Sequence, residues 1–209
     1  MLGVGRKLPR WPECHEAKWA SDLDTERKKK LILKYIEQVV NRYKNSQVLD
    51  AWQVENEPFL PFGDCPLYDA KFLDEEIALV RSLDPHHPVM VTDSGELSIW
   101  IRAAKRGDIF GTTMYRTIYS KYVGSFTYPL LPSFFRFKRA VTEMIVGERP
   151  MVVIELQAEP WAPGHIPHMS KEDQYQYFSP TKFQDTLRYA ERTGFDTYYL
   201  WGAEVLYWL

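Results

Sequence analysis

Glu57 and Glu155 are the residues on which chemistry could turn. Each closes an apolar run: Val48-Leu49-Asp50-Ala51-Trp52-Gln53-Val54 leads into Glu55-Asn56-Glu57-Pro58, and Met151-Val152-Val153-Ile154 leads directly into Glu155. Glutamate is seldom buried without a partner, and a carboxylate in apolar surroundings is driven toward its neutral form. Two carboxylates converging from separate strands suit glycoside hydrolysis, in which one protonates the leaving oxygen and the other attacks or activates water. A plainer reading also fits the residues: Glu57 capping the turn that follows it, and Glu155 pairing with an arginine. Glu55 shares strand parity with Glu57, so alternation leaves these two equal. Glu159 competes with Glu155 but stands in a loop before Pro160, where a carboxylate is usually solvated.

The elements that must hold these groups follow from periodicity. Strands are expected at Leu2 to Leu8, Val48 to Val54, Val89 to Asp93, Ile109 to Tyr115, Met151 to Leu156 and Asp196 to Trp201. Helices are expected at Asp24 to Asn45, with Asp24 as N-cap, and around Ala70 to Leu83, Leu97 to Lys105, Ser133 to Ile145 and Pro180 to Thr193. Strands apolar on both faces that alternate with helices indicate a parallel sheet covered by helices, an α/β architecture. No repeat, low-complexity segment or linker divides residues 1–209, so one domain is expected. In such folds ligands bind beyond the carboxyl ends of the strands, and here those ends carry Arg10-Trp11, Glu55-Asn56-Glu57, Asp93-Ser94, Tyr115-Arg116, Glu155 and Trp201.

Composition sets outer bounds. The 209 residues are 45% hydrophobic and 26% charged with a formal charge of −2, ordinary for a globular chain and without the basic footprint of a nucleic-acid binder or of a protein on an anionic membrane. Arg27-Lys28-Lys29-Lys30 falls inside a helical pattern and reads as a solvated face. No apolar run approaches the ~20 residues that span a bilayer, and the start is too soon charged for a secretory signal. Aromatics make up 15% of the chain, with seven Trp, and Trp11, Trp161 and Trp201 near strand ends offer flat apolar faces suited to a sugar ring. Cys14 and Cys65 match no zinc or redox spacing and read as two separate thiols. His165 and His168 could suggest a metal hydrolase, but Pro163, Gly164 and Pro167 deny them a helix and other ligands are not evident; His86 and His87 precede a strand and so lie at the wrong end. No metal and no cofactor is expected.

Asn56-Glu57-Pro58 at one strand end, with Glu155 ending a strand three further on, resembles glycoside hydrolase clan A, the cellulase and β-galactosidase type of (β/α)8 barrel. The resemblance implies that Glu57, ending strand four, is the acid/base and that Glu155, ending strand seven, is the nucleophile, about 5 to 5.5 Å apart in a retaining enzyme. It also implies that Asn56 grips the sugar 2-hydroxyl, that Tyr115 at the end of strand six orients Glu155, and that Trp201 at the end of strand eight floors the sugar subsite. The histidine often found two residues before that tyrosine is replaced by Thr113. Leu2 to Leu8 becomes strand three, so the first two strands have no counterpart, and an arginine that often supports the nucleophile from strand two is missing unless Arg10 serves.

The expectation is therefore an incomplete TIM barrel of six parallel βα units, acting on a β-linked oligo- or polysaccharide or a β-glycoside. The alternative is an impaired barrel that only binds carbohydrate. Open edges at the first and last strands further imply a homo-oligomer, joined through the N-terminal strand and the segment Tyr198 to Leu209.

Overall fold

The protein is described by a computed structural model that covers all residues except 67, 68, 165, 203, 204 and 206–209, with the side chain of residue 167 also left aside. Six strands, β1 (Leu2–Val4), β2 (Trp52–Val54), β3 (Val89–Asp93), β4 (Ile109–Met114), β7 (Met151–Gln157) and β8 (Tyr198–Trp201), form one sheet in chain order with every pairing parallel. Between β4 and β7 the chain makes an antiparallel hairpin, β5 (Thr117–Ser120) and β6 (Gly124–Thr127), which stands outside the main sheet. The sheet curls into a half-barrel: the α/β architecture expected from the alternating pattern, and the incomplete barrel expected from the resemblance. Among the described residues no helix is long and apolar enough to cross a membrane.

Helix α1 (Thr25–Tyr43) starts where Asp24 accepts a hydrogen bond from the Arg27 N–H at 2.9 Å, satisfying one of the free donors of a first turn. It buries Ile36 and Val40, while of its Arg-Lys-Lys-Lys run Arg27 and Lys30 are exposed and Lys28 and Lys29 are half-buried in ion pairs with Glu16 and Asp69. Helix α2 (Ala70–Leu83) buries Phe72, Leu73, Ile77 and Val80. The helices α3 (Ile101–Ala104), α4 (Pro132–Val146), α5 (Lys171–Tyr177) and α6 (Pro180–Glu191) complete the outer layer. All five residues of β3 are buried, as covering on both faces requires. Trp52, wholly buried on β2, donates its indole N–H to Asp84 at 2.9 Å; truncating it to alanine would cost about 3–5 kcal/mol.

Three expectations are corrected. The first two strands are short: Gly5 turns the chain at φ 124° after Val4, and Val48 is 88% exposed, so its run becomes a strand only at Trp52. The helix expected over Leu97 to Lys105 is the single turn α3, because Leu97 and Ile99 point to solvent. Cys14 and Cys65 form a disulfide across 51 residues; no spacing rule reveals a bond between two loops that only the folded sheet brings together.

Candidate active site

At the end of β2 the backbone leaves the sheet through two left-handed residues, Glu55 at φ 60° and Glu57 at φ 40°. Non-glycine residues seldom adopt that region, and here surrounding contacts hold them. The Glu55 carboxylate accepts from the backbone N–H groups of Arg6 and Lys7, both at 2.6 Å. A side chain on Gly5 would overlap that carboxylate. The Asn56 N–H donates to the Lys7 carbonyl at 3.1 Å, and Asn56 Oδ1 accepts from Gln53 Nε2 at 3.2 Å and from Thr92 Oγ1 at 3.4 Å. The Glu57 N–H donates to Thr92 Oγ1 at 2.9 Å. This separates the glutamates that parity could not: Glu55 ties down the loop after β1, and Glu57 faces a cavity.

Glu57 Oε1 accepts from Thr113 Oγ1 at 3.0 Å. Thr113 pairs across the sheet with Glu155 where the β4–β7 register shifts, an irregularity of the kind that re-aims side chains next to active sites. Glu155 Oε2 accepts from the Tyr115 hydroxyl at 2.7 Å. Tyr115 and Trp161 pack with ring centroids 5.1 Å apart. Arg10 lies 4.5 Å from the Trp201 ring centroid and donates to both Glu159 oxygens, at 3.2 and 3.1 Å. The loop after β1 thus meets the ends of β7 and β8 across the mouth although the strands themselves do not pair.

Glu57, Glu155, Tyr115, Trp201, Trp11, Trp161 and Arg10 all line one cavity of about 390 Å³. Asn56 does not line it; it stands behind Glu57 with its carboxamide oxygen engaged as above. Trp11 is on the rim, 66% exposed and edge-on to Phe62 at 6.0 Å. Glu159 is buried, which corrects the expectation of a solvated loop carboxylate: Arg10 neutralises it and Gly202, at φ 86°, leaves room for its side chain.

Burial, and then the neighbouring Glu155, hold the Glu57 carboxyl well above the usual range. Burial also raises Glu155, to about 7, against the opposing pull of the Tyr115 hydroxyl and Arg10. Glu96, a further lining carboxyl, is raised by burial to about 8 although its backbone partner Tyr115 N–H, at 3.0 Å, favours the anion. Among the described residues no three His, Cys, Asp or Glu side chains are placed to hold a metal ion; His168 is exposed, and His165 lies outside the described residues.

Several residues escaped the sequence. Lys7 is buried, donates to the carbonyls of Glu57 and Leu60 at 3.0 and 2.9 Å, and pairs with Glu13 at 3.4 Å. Gln157, also buried, accepts from the N–H groups of Arg116 and Thr117 at 3.0 Å each and so pins the hairpin to the end of β7. Neither has a motif; the parity of Gln157 with Glu155 on one strand was the available signal.

No family profile and no curated protein matches the chain. Solved structures do. A GH2 β-galacturonidase from Eisenbergiella tayi bound to galacturonate superposes with a TM-score of 0.56 at 16% identity, over 83% of this chain and 29% of that one. A β-D-glucuronidase of Dictyoglomus thermophilum gives 0.52 at 16%, over 95% and 32%. A β-galactosidase from the Antarctic haloarchaeon Halorubrum lacusprofundi gives 0.52 at 15%, over 95% and 39%. The chain therefore spans about a third of the length of these proteins, and the likeness is one of fold: a glycoside-hydrolase-like half-barrel. This corrects the assignment to clan A made from Asn56-Glu57-Pro58. The matched structures include GH2 enzymes, at identities that show fold and no family, and the clan assignment is dropped.

Proposed function

We propose that this half-barrel carries the site of a retaining β-glycoside hydrolase. The observation that supports it is the pairing of Glu57 and Glu155 on one cavity, from the ends of two strands, in settings that give them different tasks. Glu57, held protonated by burial, is the general acid. Glu155, drawn toward its anion by Tyr115 and Arg10, is the nucleophile. The Tyr115 hydroxyl occupies Oε2, which leaves Oε1 to attack the anomeric carbon. As that bond forms, the bond to the leaving oxygen breaks and Glu57 supplies its proton. Water then enters, Glu57 takes one of its protons, the resulting hydroxide displaces Glu155, and the sugar leaves with its configuration retained. Trp161 and Trp201 offer the apolar faces against which a pyranose ring stacks, and Asn56 sets the position of Glu57 from behind. A glycosidase needs no metal or cofactor for this sequence of steps.

Hydrolysis of aryl β-glycosides across gluco, galacto, manno, xylo, fuco and glucurono sugars tests the reading. Turnover of at least one sugar, with a fluorosugar inactivator attached to Glu155, is expected. Binding without turnover would favour the carbohydrate-binding alternative, and attachment to Glu159 would move the nucleophile.

A further inference from the structure

The cavity wall carries more carboxyl groups than two-carboxylate chemistry uses. Glu13, Glu96 and Glu159 line it beside Glu57 and Glu155, and among the described lining residues Arg10 is the cation, already shared with Glu159 and the Trp201 ring. Glu13 is the telling member. Its side chain is 8% exposed, yet its Oε2 makes no hydrogen bond; the nearest cation, Lys7, stands 3.4 Å away with two of its donors given to the carbonyls of Glu57 and Leu60. A buried carboxylate oxygen left without a hydrogen bond costs free energy comparable to a lost one, so its retention in a cavity wall points to a donor that arrives with a ligand.

The surrounding chain fixes Glu13 there. Its backbone is left-handed at φ 70°, its neighbour Cys14 is bonded to Cys65, and the added Cβ of any residue replacing Gly63 would come 2.8 Å from Glu13 Cβ. Glu13 also lies close enough to the reacting pair to push both Glu57 and Glu155 upward. A ligand group meeting Glu13 therefore belongs to the sugar held at the reacting pair.

Building on the glycosidase reading, we propose that the sugar bound beside the catalytic pair bears a free amine, and that Glu13 receives its ammonium: the substrate class is a β-linked amino sugar such as a glucosamine oligosaccharide. An ammonium supplies a hydrogen-bond donor for Glu13 and a positive charge beyond that of Arg10, which Glu159 already shares. A neutral hydroxyl supplies only the donor. An N-acetylated sugar loses the charge, and a uronate adds a sixth carboxylate.

Binding decides this independently of turnover. In Glu57→Gln, which replaces a protonated carboxyl by a neutral amide and cannot deliver a proton, quenching of tryptophan fluorescence by fully deacetylated chitobiose is compared with quenching by cellobiose and by N,N′-diacetylchitobiose. The diamine is expected to bind about tenfold or more tightly, the size of one charge-assisted hydrogen bond. Adding Glu13→Gln should reduce the ratio to about one. Should that double variant fail to fold, the advantage of the diamine must still shrink as salt rises from about 0.05 to about 0.5 M. Equal affinities for diamine and cellobiose, or an advantage indifferent to both Glu13→Gln and salt, would overturn the proposal. Because no bond is cleaved, failure here leaves the glycosidase reading standing, and failure of the aryl glycoside panel leaves this result interpretable.

Discussion

Replacing Tyr115 by phenylalanine removes one hydroxyl and keeps the ring that packs on Trp161. The lost bond is the 2.7 Å contact from the hydroxyl to Glu155 Oε2, and it stabilises only the anion of Glu155. A hydrogen bond to a charged group contributes about 1.5–3 kcal/mol, and one pKa unit corresponds to about 1.4 kcal/mol, so Glu155 should move upward by roughly one to two units from about 7. The direction follows because the anion alone loses its donor. The acidic limb of kcat/KM against pH, which reports the free protein, should shift toward about 8–9. At pH 7 the ionised fraction then falls roughly five- to fiftyfold, and most of the loss should return at alkaline pH. The assay is initial rates on a glycoside with an activated leaving group, which needs little protonation from Glu57. A uniform fall at every pH, with the limb unmoved and the melting temperature preserved, would refute the claim that Tyr115 acts through the ionisation of Glu155.

Other outcomes follow from the same contacts. Glu57→Ala should slow poor leaving groups by about 10²–10⁴-fold and activated ones far less, with azide trapped as a glycosyl azide of retained configuration; equal loss on both kinds would remove Glu57 from the acid/base role. Cys14→Ser with Cys65→Ser opens a loop of 51 residues, so denaturant melts should show a loss of about 4 kcal/mol by the chain-entropy estimate, and unchanged stability would show that the bond constrains nothing. Glu155 and Glu96 are raised from 4.5 to about 7 and about 8 in the folded chain, so the folded state binds more protons and the stability they contribute, complete below about pH 4.5, is lost as pH rises to about 8. Thermal melts at pH 5 should therefore exceed those at pH 8, and a rise over that interval would contradict both assignments. We further propose a homo-oligomer, because β1 and β8 pair with one neighbour each among the described residues and open edges invite another strand. Light scattering should show a dimer that Gly3→Lys weakens, since an added side chain at exposed Gly3 meets nothing within 4 Å; a monomer at micromolar concentration would remove the edge argument.

The sequence exposed what is periodic and hid what is irregular. β3, β4 and β7 are buried at almost every position and carry apolar residues on both faces, so their positions were legible to within a residue. Helix α2 was legible to its ends because Asp69 caps it and Asp84-Pro85 stops it. The β5–β6 hairpin was not, since its residues are half-buried or exposed and its strands owe their place to Gln157 rather than to a hydrophobic face. Glu57, Glu155 and Tyr115 were singled out because each lies at or near the carboxyl end of a strand, and the structure brings them to one cavity. Glu13, Lys7 and Glu159 sit in loops whose shape depends on a disulfide, on glycines with positive φ and on pairing across the barrel mouth. None of those is a local property of the chain.

The stretch Glu55-Asn56-Glu57 shows how a motif can single out residues without giving the reasons for their placement. Read as a strand end, its two glutamates are equivalent. The left-handed turn at each of them breaks that equivalence, sending one carboxylate to the backbone of Arg6 and Lys7 and the other to Thr113 and the cavity. Lys7 then returns the favour of that anchoring. Its ammonium grips the carbonyls of Glu57 and Leu60 from below, so the loop that Glu55 fixes is the loop that fixes Glu57. Glu55→Gln should accordingly act at a distance, weakening the anchor of Lys7 and with it the pose of Glu57, while Glu57→Gln should leave the loop after β1 in place. Hydrogen exchange at the Arg6 and Lys7 amides separates the two: faster exchange is expected in Glu55→Gln alone, and equal exchange in both variants would mean that the two glutamates support the loop alike.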